Sequence, residues 1–400
     1  MFDVLVVGGG YGGTLCAVLA AQRGLSVALL ERNSNLGKKV RQTGNGRCNL
    51  SHLSVSPQNF HGENPSFVNE ALKNAGVDVL VTQWEKWGLP ITHLEDGRMY
   101  PHSYQAKTVQ DAMERMVDTA GVTVFKDTYI KHVANEDHFV ATTFDNRTLF
   151  GKTLVLATGG KSMKQTGSDG SGYTLAKQFG HRISPLFPGI CALELEGEDF
   201  KPLNGVKIPT SVLLTIDGEE IRRDYGDVLF TQYGISGPPI LQHSRHVNDA
   251  LRKKQSPMLY VNLLHETWGP DDVERYLMRS TLSLEEALQT FLHEKIVPVF
   301  LKKEGYSEVE SFREMNRNKR KELLHRLEFW PWKPNGSKPF GESQVTCGGV
   351  DTREVSPLTM ESKFVEGLYF IGEILDVDGD CGGYNLHWAF ASAWACAHAL

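Results

Sequence analysis

Cysteine is scarce in this 400-residue chain: six residues, Cys16, Cys48, Cys191, Cys347, Cys381 and Cys396, with no two in a CxxC spacing. Neither a zinc clamp nor a thioredoxin-like dithiol is written locally, and such sparse use suits a reducing, cytoplasmic setting. Long apolar runs are missing as well. No uncharged stretch approaches the roughly 20 residues a membrane-spanning helix needs, so no membrane partner is expected. The apolar opening MFDVLVVGGGYGGTLCAVLA has no basic n-region and is broken by five glycines, which marks it as part of the fold and not a secretory signal. An excess of positive charge is absent too: 42 Lys+Arg stand against 48 Asp+Glu, a net −6. No global field draws the molecule to nucleic acid, which is not the expected partner.

What the chain does have is glycine, 39 residues or close to one in ten, without a Gly-X-Y period or a low-complexity tract. These glycines must serve particular backbone positions. Phe2 to Val7 reads as a short buried strand, Gly8 to Gly13 as a turn, Thr14 to Arg23 as a helix, and Ser26 to Leu30 as a second strand. Helical spacing returns over Phe67 to Trp87 and Lys107 to Thr119. Thr123 to Phe150 reads as a three-stranded antiparallel excursion, and Thr153 to Ala157 as a further buried strand. From about Ile190 to Leu264 strands and polar turns dominate, and from Pro270 to Leu327 amphipathic helices. Trp330 to Gly336 is a Pro/Gly-rich boundary, after which strand and helix signals resume and end in a helix from about Asn385.

Gly8, Gly10 and Gly13 form GxGxxG directly after a strand and at the opening of a helix. Glu31, followed by Arg32, closes the next strand 21 residues after Gly10, where an acid can bind a ribose hydroxyl. Gly8 suits the tight turn, Gly10 the close approach of a pyrophosphate, and Gly13 the packing of helix on strand, with Tyr11 and Gly12 at the helix N-terminus that faces the anion. An acid at Glu31 argues against a ribose 2′-phosphate, so the dinucleotide is FAD or NAD. A second constellation runs from Gly37 to Leu50: Gly44 and Gly46 for close backbone approach, Lys38, Lys39, Arg41 and Arg47 for charge, Asn45 and Asn49 for amide hydrogen bonds. Cys48 has no redox partner in CxxxxC spacing and reads as a packed small residue. Near the end, Leu368 to Glu373 is a strand running into the turn at Gly372, and Gly382 and Gly383 stand before a helix beginning near Tyr384. Its dipole is suited to a negative charge on a reduced isoalloxazine. Asp376, Asp378 and Asp380 imitate a calcium loop, but the twelfth position is His387 and not Glu, so no metal is expected.

These motifs resemble the BaiN/YhiN-like family of FAD-dependent oxidoreductases. The matching pieces are VVGGGYGG at 6 to 13, GKKVRQTGNGRCNLS at 37 to 51, EDGRMYPHSYQA at 95 to 106, ATGG at 157 to 160, GSDGSGYTLAKQFGH at 167 to 181, LFTQYGISGPPIL at 229 to 241 and the long block at 344 to 392. The resemblance implies an α/β protein with a Rossmann-like, glutathione-reductase-type fold and noncovalent FAD. It places Glu31 on the adenosine ribose, Arg47 and Cys48 along the cofactor, Val133 by the adenine, Ala157, Thr158, Gly159 and Gly160 near the pyrophosphate, and Glu373, Asn385 and Leu386 on the flavin side. Some members are similar to reductases of conjugated carbon–carbon double bonds. Tyr11 departs from the usual small residue, and His387 stands where Gln is common.

Because the last glycine cluster lies beyond residue 370, the FAD-binding domain is expected to be discontinuous, over 1–190 and 341–400. A β-rich insert would fill 191–268 and a helical subdomain 269–340. A second complete GxGxxG unit is absent, so NAD(P)H is expected only as a transient reductant. Proton-donor candidates are Tyr100, His102, Ser103, Tyr173, Tyr384 and His387, with none assigned as catalytic; Arg98 and Tyr100 are expected at the substrate. The reading is an FAD-dependent oxidoreductase of a small, partly apolar molecule. Two others stay open: a flavoprotein of RNA metabolism, from Arg313, Arg317, Lys319, Arg320, Lys321 and Arg326 in the helical insert, and a flavoprotein without turnover.

Overall fold

A computed structural model describes residues 1–264 and 267–400. The chain divides into two compact units, residues 1–187 with 340–400, and residues 188–339.

The first unit is built on a parallel sheet. Strand β1 (Phe2–Val7) runs into helix α1 (Tyr11–Gln22) and returns as β2 (Val27–Leu30). The parallel order is Thr123–Phe125, β2, β1, Thr148–Leu156 and Leu368–Phe370. Val4 to Val7 and all of β2 are buried, as a sheet covered on both faces demands. Thr148–Leu156 joins the parallel and antiparallel parts of one seven-stranded mixed sheet. Its second half pairs in parallel with Leu368–Phe370, while its first half pairs antiparallel with Phe139–Thr143, which in turn pairs with Ile130–Asn135. The antiparallel excursion thus begins at Ile130. Thr123–Phe125, expected within it, is the parallel edge strand beside β2, because a short β-branched run cannot by itself declare its partner.

The span Phe67 to Trp87, expected as one helix, is two: Asn69–Asn74 and Val77–Lys86, broken at Ala75 and Gly76. The C-terminal helix, Tyr384–Ala399, is buried along most of its length and packs on α1, which is why it is nearly apolar all round.

The second unit carries a seven-stranded antiparallel sheet in the order Trp330–Trp332, Pro257–Val261, Lys207–Ile216, Glu219–Thr231, Gly234–Ser236, Leu193–Leu195, Pro334–Ser337. The two outermost strands are separated by one residue, Lys333, so the sheet must curl until its edges are neighbours. Trp330 to Gly336, expected as a boundary, is therefore strand: Trp330 and Trp332 are buried core residues in ring contact with Phe230. Helices Pro270–Arg279, Leu284–Gln289, Ile296–Glu304 and Arg317–Glu328 add their apolar faces to the same core as the strands.

Candidate functional site

The glycines after β1 divide their work. A methyl group on Gly8 would lie 2.5 Å from the Ala157 carbonyl oxygen, and one on Gly13 would lie 1.9 Å from the oxygen of Gly8. Both positions are closed by packing. At Gly10 nothing lies within 4 Å of where a side chain would begin, so the backbone opens onto free space at the N-terminus of α1. The first-turn N–H groups there have no intrahelical acceptor. Glu31, at the end of β2, is buried and holds this turn: one carboxylate oxygen accepts from Gly9 N (2.7 Å), the other from Asn33 N and Nδ2 (2.7 and 2.6 Å). Burial raises its pKa against those hydrogen bonds. Arg32 pairs with Asp169 and lies over the Tyr129 ring.

Tyr11, the bulky residue of the turn, points into the protein. Its ring stacks on Trp84 at 5.8 Å, and its hydroxyl accepts a hydrogen bond from Trp84 Nε1 (2.9 Å). Its contribution to a ligand is limited to its backbone. Gly12 is close to the C-terminal helix, with Ala389 O 3.1 Å from its would-be methyl.

The loop from Gly37 folds back on the turn through Gly37 N to Gly9 O (2.8 Å). Lys38, Arg41, Asn45, Gly46 and Arg47 are exposed. Lys39 reaches Glu373 Oε2 at 2.7 Å, and Glu373 Oε1 accepts from Thr346 N (2.9 Å). Cys48 is fully buried, with its thiol pushed up to about 12 by desolvation, so thiolate chemistry is closed to it. Asn49 Oδ1 is buried with no hydrogen-bond partner among the described residues. It lies beside Gly383, 2.7 Å from that glycine's would-be methyl.

Ala157 and Thr158 follow the strand Thr148–Leu156, which places them opposite Gly8. The hydroxyls of Thr158, Ser168 and Tyr173 are all buried and unpartnered among the described residues. Ser168 Oγ lies 3.1 Å from the would-be methyl of Gly159, and Glu373 Oε1 lies 3.0 Å from that of Gly160. Gly372 approaches Ala389, as Gly12 does. The segments around Gly8, Asn49, Gly159, Gly372 and Gly383 are therefore drawn together by direct contacts. Val133 stands apart on the antiparallel excursion, its N–H donated to Gln178 Oε1 (3.1 Å). It lines an open cavity of about 540 Å³ with His132, Phe179 and Phe364.

At the C-terminal helix, Gly383 takes φ +105° as the cap, and a side chain there would meet Ser51 O at 2.4 Å. Tyr384 stacks on His52 (5.2 Å, 18°). Asn385 is committed to its own loop: its Oδ1 accepts from Gly379 N and its Nδ2 donates to Gly379 O, both 2.8 Å. Leu386 is half-buried against the core. His387 is fully buried; Nε2 donates to Ala75 O (3.1 Å), so Nδ1 accepts from Ser51 Oγ (2.8 Å). Desolvation pushes its pKa down to about 4. As a proton donor His387 is ruled out, because both ring nitrogens are spent inside the core. Arg98 pairs with Asp96 (2.6 Å) on an exposed turn, and Tyr100 is buried beside it. His102 and Ser103 are exposed, Ser103 donating to Thr108 Oγ1.

Thr346, Ser168 and Asp169 were not among the expected site residues, and Lys39 was expected for its charge without its partner. Lys39 and Glu373 are 334 residues apart, and only the fold reveals the pair. The GSDGSGY segment carried a signal, since its small residues precede a helix, Ser171–Gln178.

The residues fit FAD. Gly10 leaves open space at a helix N-terminus, and Asn49, Thr158 and Ser168 offer buried polar atoms without partners. The strand, glycine turn and helix, with an acid closing the next strand, define a dinucleotide-binding protein of Rossmann type. Within that class the chain belongs to the HI0933-like Rossmann-domain family, whose model matches residues 2–399. It is 31% identical over 400 residues to the 3-dehydro-bile acid delta(4,6)-reductase of Clostridium scindens, covering 98% of both chains. It is 32% identical over 413 residues to the ribosomal RNA dihydrouridine synthase of Escherichia coli, covering 100% of this chain and 98% of the other. Among solved structures, the 3-ketosteroid-delta4-(5alpha)-dehydrogenase of Rhodococcus jostii RHA1 aligns over 100% of this chain and 97% of its own, at 14% identity and a TM-score of 0.48.

Proposed function

We propose that the protein is an FAD-dependent reductase of a carbon–carbon double bond conjugated to a carbonyl, acting on a small, partly apolar molecule. The observation that carries the cofactor is the open side of Gly10 at the N-terminus of α1, in a turn whose Gly8 packs on Ala157 and Thr158, the latter with a buried hydroxyl unpartnered among the described residues. Bound there, FAD supplies hydride transfer. The chain supplies the rest: α1 N–H groups for the pyrophosphate, Glu31 for the turn beneath it, and Lys39 with Glu373 as a fixed pair beside Gly160. The N-terminus of Tyr384–Ala399 offers about half a positive charge toward a reduced ring.

The chemistry is supported by these bile-acid and ribosomal-RNA relatives together. A 3-dehydro bile acid with 4,6 unsaturation is a conjugated ketone. Dihydrouridine is uridine saturated at the bond conjugated with its C4 carbonyl. The same electron demand joins both. NAD(P)H is proposed as a transient reductant.

A second reading, with uridine in ribosomal RNA as substrate, is favoured by the Escherichia coli relative. The basic run in the helical insert lends it little: Lys319 pairs with Glu310 (2.5 Å), Arg326 with Glu304 (3.3 Å), and Arg320 lies against Phe312. Among the described residues no helix is long and apolar enough to cross a membrane.

The test begins with the visible spectrum of purified protein and identification of the extracted cofactor. Anaerobic titration with NADH and NADPH follows, then reoxidation by a 3-oxo-4,6-diene bile acid or by ribosomal RNA lacking dihydrouridine. A colourless protein that takes up no FAD would overturn the proposal; reoxidation by RNA alone selects the second reading.

A further inference from the structure

We propose that Tyr100 is the catalytic acid of this reduction, the group that protonates the carbon α to the carbonyl. The inference rests on the proposed function and names a residue within that site.

The strand Arg98–Pro101 is the middle of a three-stranded antiparallel sheet, between Ser51–His52 and Ile91–His93. Side chains alternate along a strand, so Arg98 and Tyr100 share one face and Met99 takes the other, where it is buried. His52 is directly opposite Arg98 and belongs to the first face. Two glycine loops close on that face. Tyr100 Cε1 lies 3.5 Å from the would-be methyl of Gly44, and His52 Cδ2 lies 3.8 Å from that of Gly382. Gly44 belongs to the basic loop, and Gly382 precedes the C-terminal helix. Tyr100 therefore stands on the face over which the basic loop and the loop before the C-terminal helix close.

The titratable groups around the phenol are Arg98, Asp96, Arg47 and Cys381, the last a neutral thiol because desolvation pushes it up to about 11. Both arginines are exposed while Tyr100 is 3% exposed, so the rim above the phenol carries two guanidinium groups and one carboxylate, Asp96, paired with Arg98. Desolvation raises the Tyr100 pKa; Arg98 and Arg47 oppose that rise, while Asp96 and Cys381 add to it. The phenol is protonated at neutral pH, and the anion left after proton loss is stabilised by the nearby guanidinium groups.

The other members of this face are poor acids. Arg98 does not deprotonate in the working range. His52 is held by Ser54 N at Nδ1 (3.1 Å) and by stacking on Tyr384.

Reduction of the conjugated bond needs a hydride at the β-carbon, which the reduced cofactor supplies as it is oxidised by two electrons. It also needs a proton at the α-carbon. The Tyr100 O–H bond breaks and a C–H bond forms there, its electron pair coming from the former double bond. The phenolate recovers its proton from water, and a reduced nicotinamide restores the cofactor.

The test compares wild-type holoprotein with Tyr100→Phe and Tyr104→Phe, using the 3-oxo-4,6-diene bile acid and dihydrouridine-free ribosomal RNA as probes. Tyr104 is the neighbouring ring, 5.7 Å away. In Tyr100→Phe, FAD content and anaerobic reduction by nicotinamide stay at wild-type levels while probe-dependent reoxidation falls by about 100-fold or more. Tyr104→Phe keeps the wild-type rate. Reoxidation of Tyr100→Phe within about threefold of wild type overturns the assignment. Should Tyr100→Phe fail to fold, 3-fluorotyrosine at position 100 preserves shape and lowers the phenol pKa. It is expected to move the alkaline limb of the rate profile to lower pH, and an unmoved limb overturns the role. Wild-type protein that binds FAD yet is reoxidised by neither probe overturns the underlying function, a result distinct from the failure of Tyr100 alone.

Discussion

Two glycines three residues apart would be indistinguishable by composition, yet Gly10 and Gly13 meet opposite surroundings. A methyl at Gly13 strikes the backbone oxygen of Gly8 at 1.9 Å, which no rotamer relieves. Gly13→Ala is expected to lose about 1–3 kcal/mol or more through forced movement of α1 against β1, seen as a lower unfolding midpoint of the apoprotein. Gly10 has φ −72° and nothing within 4 Å, so alanine fits the apoprotein, at the roughly 1 kcal/mol cost of a poorer N-cap. The new methyl would occupy the open space read as the pyrophosphate approach. Gly10→Ala is expected to fold and to bind FAD at least about tenfold more weakly, a difference of some 1.4 kcal/mol. Equal FAD affinity in Gly10→Ala, measured by flavin fluorescence quenching, would remove the pyrophosphate from this turn. The closed surroundings of Gly8 and Gly13 and the open side of Gly10 were legible in the spacing, because GxGxxG fixes where the turn and the packing fall. The inward turn of Tyr11 was not legible, since its partner Trp84 lies 73 residues on.

At the scale of elements, the strand–turn–helix–strand opening was readable because its hydrophobic run, glycines and acid lie within 31 residues. The remaining contacts depend on partners that are distant in sequence. Thr123–Phe125 and Trp330–Trp332 have strand composition, but only pairing with β2 and with Pro257–Val261 gives them their places. The break at Ala75 is similar: its carbonyl accepts from His387, 312 residues away. Asn385 offers a test of how the C-terminal glycine loop is held. Its amide both accepts from and donates to Gly379, joining the start of the final helix to the residues before it. Asn385→Ala is expected to lose about 1–3 kcal/mol, the cost of two broken backbone partnerships, and to weaken FAD binding with it. Asn385→Asp keeps the acceptor for Gly379 N and opposes a carboxylate to Gly379 O, so it is expected to be no better than alanine. If Asn385→Asp melts with wild type and only its flavin spectrum shifts, the side chain serves the ligand and not the loop.

For the molecule as a whole, the buried histidines of the first unit link its stability to pH. His387 is fully buried and neutral, with a pKa pushed down to about 4 by desolvation, and His181 is buried and lowered by the same cause. A histidine released on unfolding titrates near 6.5. Between these values the unfolded chain binds more protons than the folded one, so stability is fully present above about pH 6.5 and is lost as pH falls toward the folded value. The gap for His387 corresponds to about 3 kcal/mol by pH 4, a large part of the 5–15 kcal/mol typical of native proteins. The urea midpoint of the first unit is therefore expected to fall steeply between pH 7 and pH 4. Glutamine at position 387 can donate to Ala75 O and accept from Ser51 without titrating. In His387→Gln the midpoint is expected to be flatter with pH by about that amount, whatever its value at pH 7. Parallel pH profiles in the two proteins would mean that the charge is accommodated in the core, and the contact joining Ser51, Ala75 and the C-terminal helix would then have to open without unfolding.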